Sequence, residues 1–497
     1  MKLLNKNNLL AVLVGALCVF GFAPFGQFWL PVLALASLFA LWQRADTPRL
    51  AAQRGFAFGL GLFCGGVSWI YVSLHDFGEM PMLLAAGATL AFSAFLALFT
   101  AGAGYLQARF PLSATLRTRW VMPVAWVGIE WLRGMIMTGF PWLTLGYAQS
   151  DSPLAGYAPL LGVYGVSLLA AISAAVLVHA WHTRRYAVNA LLLLAIWGGG
   201  AALREVVWTQ PAGNPFSVAL MQGNISQDRK FREDMRDETL HQYADAVFAS
   251  SAQLMVLPES AFPMFRSEVP RRLVELLRDH ARHNGGDVII GAFDEDRLGY
   301  YNSVFSLGTA SEQSYHKQHL VVFGEFIPLR PVFGWLINEV LHIPMGDLMR
   351  GRDDQPPLSV AGQRVAVSIC YEDVFGEEII RALPAATVLV NVTNDGWFGH
   401  SPAAAQHNQM AQFRAMETGR MMLRATNTGM TSIIGANGQI LQQLPPHQIG
   451  TLTGMAQGYQ GTTPYIRWGN FAVWMLFGLM LGVAGWRVKR SELVVVR

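Results

Sequence analysis

The chain has 497 residues, of which 52% are hydrophobic and 14% charged, with a formal net charge of +3. So small a basic excess, with no run of basic residues interleaved with aromatics, excludes a nucleic-acid footprint. Of the 33 Asp and Glu, only Asp46, Asp76, Glu79, Glu130 and Asp151 precede residue 204, so the first 200 residues are not an ordinary soluble domain.

In chain order, apolar runs fall near residues 8–22, 26–43, 55–75, 81–107, 120–138, 160–182 and 187–203, with one more at 469–486. A helix needs about 20 residues to cross roughly 30 Å of hydrocarbon, and these runs predict eight transmembrane helices. Lys2 and Lys6 ahead of Leu9–Phe20 also fit a signal peptide, but no small-residue cleavage site follows closely and further apolar segments do. With the N-terminus inside, the inner segments carry Lys2 and Lys6; Arg44, Arg49 and Arg54; Arg109, Arg117 and Arg119; Arg184 and Arg185; and Arg487, Lys489, Arg490 and Arg497. The short outer loops 76–80 and 139–159 carry no Lys or Arg. This bias places both termini in the cytoplasm and the block between the seventh and eighth spans on the far side of the membrane. The expected domains are a membrane domain at 1–203, an exported domain at 204–467, and an eighth helix with a cytoplasmic tail at 468–497.

Within the membrane part, Glu130 and Arg133 stand three apart on one helical face. Ionisable groups at that depth are expensive unless paired or facing a cavity, so an intramembrane pair or a headgroup contact is expected. His75, Asp76 and Glu79 fall at the outer end of the third span, on the side of the exported domain.

The exported block alternates short apolar strands with helical stretches. Strands are predicted at Phe216–Gln222, Leu254–Leu257, Val288–Ala292, Ser303–Leu307, Val365–Ile369, Val388–Val392 and Thr431–Gly435, and helices at 233–250, 268–283, 375–383 and 403–424. That mixture implies a layered α/β domain with functional groups gathered at strand ends. Gly438, in Ala436-Asn437-Gly438-Gln439, marks a tight hairpin. The stretch Phe323–Leu348 is rich in apolar residues. Trp335, Leu336, Ile337, Val340 and Leu341 would form one face of a short helix, either packed in the domain or acting as an interfacial lid.

Three strand ends carry reactive groups. Leu254–Leu257 runs into Pro258-Glu259, Ser314-Tyr315-His316 into Lys317, and Val365–Ile369 into Cys370. A carboxylate, an ammonium and a thiol from separate strands are the parts of an acyl-transfer site. Cys18 and Cys64 lie within apolar spans, where a thiol packs as a small hydrophobe. Cys370 has no disulfide partner in its own domain, so in an oxidising compartment it is either inert in the core or kept for chemistry. The twelve His form no HxxxH or HxH cluster with acidic companions, and Lys317 between His316 and His319 would repel a cation, so neither a metal nor an organic cofactor is expected.

Leu257-Pro258-Glu259-Ser260, His316-Lys317-Gln318-His319-Leu320 with Phe323-Gly324-Glu325, and Ile369-Cys370-Tyr371-Glu372 with Asn394-Asp395-Gly396-Trp397-Phe398 together resemble the Glu-Lys-Cys triad of the nitrilase superfamily. The resemblance is to its membrane-embedded branch, the apolipoprotein N-acyltransferases, and extends over nearly the whole chain. Phe231 stands where members often carry Trp, after a stretch from Gln222 to Lys230 that is otherwise similar.

The resemblance implies an αββα sandwich joined to a multi-span helical domain in the bacterial inner membrane, with the catalytic domain periplasmic. It implies transfer of an acyl chain from a phospholipid, phosphatidylethanolamine typically, to the α-amino group of the diacylglyceryl-cysteine of apolipoproteins through a Cys370 thioester. Glu259 would accept the Cys370 proton, and Lys317 with the Tyr371 N–H would stabilise the oxyanion. Nearby cations are expected to lower the thiol from about 8.5. Glu325 resembles a second glutamate that orients the lysine and the carboxylate, with a surface glutamate as the alternative. Tyr371 and Glu372 either support the site or are packing and solvent-facing groups. Trp397 either packs in the core or touches the acyl chain, and Asp373 competes with Glu372 for any acidic role. A membrane-tethered amidase or nitrile hydrolase using water, and a scaffold without catalysis, remain open alternatives.

Overall fold

The computed structural model describes residues 5–327 and 348–495. The proposed lid helix, with Trp335 to Leu341, lies outside them. The chain divides into two compact units, one comprising Met1–Tyr71, Pro81–Val206 and Arg467–Arg497, the other Val72–Met80 and Val207–Ile466.

The first unit is helical. Among the described residues, three of its helices are long and apolar enough to cross a membrane: Met82–Arg109, Pro153–Thr183 and Tyr186–Arg204. Pro48–Gly66 with the following Trp69–Phe77 makes a fourth if the bent pair is one span. Lys6–Gly21, Trp29–Gln43 and Phe471–Arg487 are shorter apolar helices. In the 120–138 stretch the regular helix is Met122–Arg133, stopped at Gly134. Every predicted span is therefore helical, but several are shorter than the expected run, because caps and turns cut the apolar stretch before it ends. Lys6–Cys18 packs closely on Pro48–Gly66. A Cβ on Gly15 would stand 2.0 Å from the Phe58 carbonyl oxygen, and one on Gly61 2.0 Å from that of Val12. Such small-residue contacts let apolar helices approach backbone to backbone. Glu130 accepts the Leu145 N–H at 2.8 Å, and Arg133 donates to the Phe140 and Trp142 carbonyls at 2.5 and 2.6 Å. Both side chains are buried and brace the 140–145 turn.

Among the described residues, the second unit is built on twelve strands: β1 (Thr209–Gln222), β2 (Leu254–Val256), β3 (Asp287–Glu295), β4 (Tyr300–Gly308), β5 (Ser314–His316), β6 (Leu358–Val360), β7 (Gln363–Ile369), β8 (Val388–Thr393), β9 (Met422–Thr426), β10 (Ser432–Ile434), β11 (Ile440–Gln443) and β12 (Gly450–Gly461). They form two six-stranded sheets, β12-β1-β2-β3-β4-β5 and β11-β10-β9-β8-β7-β6. In each, three neighbouring strands run parallel: β1, β2 and β3 in one, β7, β8 and β9 in the other. Strands such as Val388–Thr393 are buried throughout and rich in Val, as a strand covered on both faces requires.

The sheets pack face to face through Val218, Leu220, Val256 and Ile289 on one side and Val367, Ile369, Val390 and Leu423 on the other. Helices Arg236–Phe248 and Arg271–His283 cover the outer face of the first sheet, and Ala403–Thr418 that of the second. The result is an αββα sandwich. All seven expected strands are present, and the hairpin expected at Gly438 joins β10 to β11. The helix expected to run to 424 ends at Thr418. Gly419 adopts φ +60 as its left-handed cap, where a Cβ would sit 2.6 Å from Thr209, and the chain then turns into β9.

Candidate active site

The ends of β2, β5, β7 and β8 converge. Glu259, one turn past β2, is 7% exposed. Its Oε1 accepts Asn302 Nδ2 at 2.7 Å and Lys317 Nζ at 3.5 Å, and its Oε2 accepts the Asn394 N–H at 2.9 Å. The next residue, Ser260, has φ +47, outside the usual range for a side-chain-bearing residue. Lys317, directly after β5, is 1% exposed, and its Nζ donates to Glu325 Oε1 at 2.9 Å. Burial works against the ammonium, but Glu325, Glu259 and Cys370 outweigh it and hold Lys317 above the usual lysine range. Glu325 is anchored in turn by the Val321 N–H at 2.9 Å and by Asn302 at 3.1 Å. A buried ammonium between two carboxylates is a charge in a fixed position, which is what stabilising a developing oxyanion requires.

Cys370 opens the turn after β7 with φ +54, a strained conformation for a cysteine. Burial and the Glu259 carboxylate push its thiol up, against the opposing pull of Lys317; Asp395 adds to the rise. The expectation of a cation-lowered thiol is therefore reversed, because burial and carboxylates outweigh one ammonium. At rest the proton sits on sulfur, with Glu259 in electrostatic reach to receive it.

Glu372 is buried and tied to four donors. Its Oε2 accepts the Ile369 N–H at 2.6 Å and the Tyr315 hydroxyl at 3.0 Å; its Oε1 accepts the His319 N–H at 3.0 Å and that of Gln318. It joins the Cys370 turn to the Lys317 loop. Burial pushes its carboxyl up to about 7, despite the N–H groups that favour the charged form. Tyr371 packs edge-on against Phe375, with ring centroids 5.3 Å apart. Trp397 is 43% exposed, so it is not a core residue. Its carbonyl accepts the Ser73 hydroxyl at 2.6 Å, and its ring meets Phe77 edge-on at 6.3 Å. Asp373 takes no part in the site surface. It lies in a buried network in which His407 reaches Asp373 at 2.7 Å and Asp395 at 3.0 Å, while Arg424 donates to the same two carboxylates at 2.8 and 3.2 Å.

Several residues near the site went unread in the sequence. Asn302 bridges Glu259 and Glu325; its signal was an amide inside an otherwise apolar strand. Asn394 carries a second amide cluster, donating to Gln227 at 2.7 Å and accepting from Asn427 at 2.9 Å. Lys230 donates from Nζ to the Glu259 main-chain carbonyl at 2.8 Å and is 1% exposed. Among the described residues, no group of three His, Cys, Asp or Glu is placed to hold a metal ion.

Residues 14–176 match the family described as apolipoprotein N-acyltransferase N-terminal domain, and residues 217–463 match the carbon-nitrogen hydrolase family. An apolipoprotein N-acyltransferase of Nitrosomonas europaea is 50% identical over 475 residues, covering 95% of each chain. The chain belongs to the apolipoprotein N-acyltransferase family. The apolipoprotein N-acyltransferase of Ralstonia nicotianae is 45% identical, covering 93% of this chain and 90% of its own, and that of Methylococcus capsulatus is 44% identical over 97% and 95%. As a member of the apolipoprotein N-acyltransferase family with a carbon-nitrogen hydrolase domain, it is an N-acyltransferase.

Proposed function

We propose that the enzyme transfers an acyl chain from a phospholipid, phosphatidylethanolamine foremost, to the α-amino group of the diacylglyceryl-cysteine of apolipoproteins. The reaction is ping-pong, through a Cys370 thioester, and is the last step of lipoprotein maturation. The observation that carries this reading is the convergence of Glu259, Lys317 and Cys370 from three strand ends, each electrostatically coupled to the others.

Cys370 gives its proton to Glu259 as sulfur attacks the ester carbonyl. Lys317 and the Tyr371 N–H hold the oxyanion. The carbon–oxygen bond then breaks, and the lysophospholipid leaves with the proton returned by Glu259. In the second half the α-amine, with an ordinary pKa of about 8, attacks the thioester and passes a proton to Glu259. The amide forms, the carbon–sulfur bond breaks, and sulfur recovers the proton. Glu325 orients Lys317, Glu372 holds the nucleophile turn, and Tyr371 and Trp397 lie beside the acyl chain. Water must be kept out to protect the thioester, which favours a site against a lipid surface.

The charge bias of the loops supports a multi-pass enzyme of the bacterial inner membrane. It has eight spans, seven in 1–203 and one in 468–497, both termini cytoplasmic, and the catalytic domain at 204–467 periplasmic. Mass spectrometry of the purified protein incubated with phosphatidylethanolamine tests the reading. A palmitoyl-sized adduct on Cys370, absent in Cys370→Ser and discharged by a diacylglyceryl-cysteine peptide, is the expected result. Discharge to water with no acylated peptide would convert the reading to a hydrolase, and no adduct would end it.

A further inference from the structure

The mechanism leaves one buried cation of the site unused. Lys230 closes the short helix Gln227–Lys230, and its Nζ donates to the Glu259 carbonyl at 2.8 Å. The Phe231 ring centroid lies 5.9 Å from the same Nζ, so an aromatic face covers the ammonium. Removing an ammonium from water costs several kcal/mol unless negative groups face it. The groups coupled to Lys230 are Glu259, after β2, and Cys370, after β7. Glu259 also meets Lys317 after β5, and Cys370 also meets Lys317 and, after β8, Asp395.

We propose that Lys230 is a charged positioning residue for acyl transfer. It clamps the Glu259 main chain beside the strained Ser260, and its ammonium favours the Cys370 thiolate at the moment the proton leaves sulfur. This rests on Cys370 being the nucleophile. Two buried lysines, Lys317 and Lys230, are thus coupled to the reacting sulfur. Lys317 is gripped by two carboxylates, whereas Lys230 is hydrogen-bonded to a neutral carbonyl and faces Glu259 and Cys370 as its negative partners. Phe231 lays its ring face toward the Lys230 ammonium while remaining partly exposed itself.

Burial lowers Lys230 to about 8, against the opposing pull of Glu259 and Cys370, so its charge disappears within an accessible pH range. Lys317, held above the usual lysine range, stays charged throughout. The test is the rate of iodoacetamide alkylation at Cys370 in the full-length, detergent-solubilised protein without any acyl donor. The rate is resolved by peptide mass spectrometry, because Cys18 and Cys64 are also free. Lys230→Met is expected to react about tenfold more slowly than the parent below pH ~8, the size of a one-unit displacement of the thiol, with the deficit closing above pH ~9 as the parent loses the same charge. A deficit that is the same at every pH reduces Lys230 to a structural clamp and overturns the proposal, as does no deficit at all. Should Lys230→Met fail to fold by circular dichroism, Lys230→Arg decides. Its permanent charge must make Cys370 react faster than the parent above pH ~8, and an equal or slower rate overturns the proposal. Since the probe needs no lipid, this outcome is independent of the adduct experiment that judges acyl transfer.

Discussion

Lys317 and Glu325 close an ion pair of 2.9 Å around an ammonium that is 1% exposed, and the same Glu325 oxygen also accepts from Asn302. The pair fixes where positive charge stands before any substrate arrives. Removing one partner of a buried pair leaves the other uncompensated, at a cost of about 3–5 kcal/mol. Lys317→Met should therefore lower the melting temperature and also abolish adduct formation at Cys370. Glu325→Gln, which keeps the shape and one acceptor, should melt nearer the parent and slow acylation by roughly 10²-fold. Parent-like acylation in Lys317→Met would remove Lys317 from the mechanism.

Glu259 accepts from Asn302 and Lys317 on one oxygen and from the Asn394 N–H on the other, so Glu259→Gln removes its basicity and turns an amide NH2 toward one of these donors. Adduct formation should fall by about 10²–10⁴-fold, with a loss of stability of about 1–3 kcal/mol from the donor left unsatisfied. The two are read on the same preparation, by mass spectrometry and by a melt.

Glu372 is protonated more readily in the folded chain than in the unfolded one. Between an unfolded value of 4.5 and a folded value of about 7, the native state binds the extra proton, so stability falls as pH rises through that window, by about 3 kcal/mol if the group acts alone. Glu372→Gln should flatten that part of the stability curve relative to the parent. Denaturant melts of both proteins at pH 5 and pH 7.5 give the comparison, and parallel curves would contradict it.

His407 sits between two carboxylates and beside Arg424. Burial and Arg424 oppose its charge, but Asp373 and Asp395 prevail and raise it above the ordinary imidazole value. A raised histidine contributes stability that is full below about 6.5 and lost as pH climbs through its folded value. His407→Gln should thus cost about 2–4 kcal/mol near pH 6 and progressively less at alkaline pH, measured by denaturant melts. Because Asp395 couples to Cys370, alkylation of that thiol should change as well.

The Ser73 hydroxyl donates to the Trp397 carbonyl, and Phe77 packs edge-on against the Trp397 ring. Ser73→Ala should cost about 1 kcal/mol or less. If Trp397 lines the acyl path as proposed above, Trp397→Ala should raise the apparent KM for phospholipid more than it lowers kcat. The steady-state rates of acylated-peptide formation separate the two.

The strands leading to Glu259 and Cys370 were legible because each is a short apolar run written within a few positions of chain, whereas Ser314-Tyr315-His316 before Lys317 is too short and polar to show as one. Glu325 was named through the resemblance alone, and the structure places it against Lys317. Asn302 and Lys230 were not, because each reaches the site from a segment whose own sequence gives no reason for the contact. Strand β12 was missed altogether: it is only partly apolar, and its pairing with β1 joins residues about 240 positions apart. The helix expected at 403–424 stops at Thr418 because Gly419 takes a left-handed cap, and Met422 already belongs to β9.

By itself, the order of residues determined the class of molecule: an apolar helical part, a layered α/β part, and a thiol, an ammonium and a carboxylate at strand ends. Hydrophobic periodicity and composition are local quantities, and they survive in one dimension. What only the tertiary structure decided is how those groups are tuned. Whether the Cys370 thiol titrates low or high depends on its burial and on the distances to Glu259, Lys317 and Asp395, and these come into being when two sheets close face to face. The reversal of the expected thiol shift, the four-donor seat of Glu372 and the second lysine at Glu259 all arise there, since Coulomb energy and desolvation follow separation in space rather than along the chain.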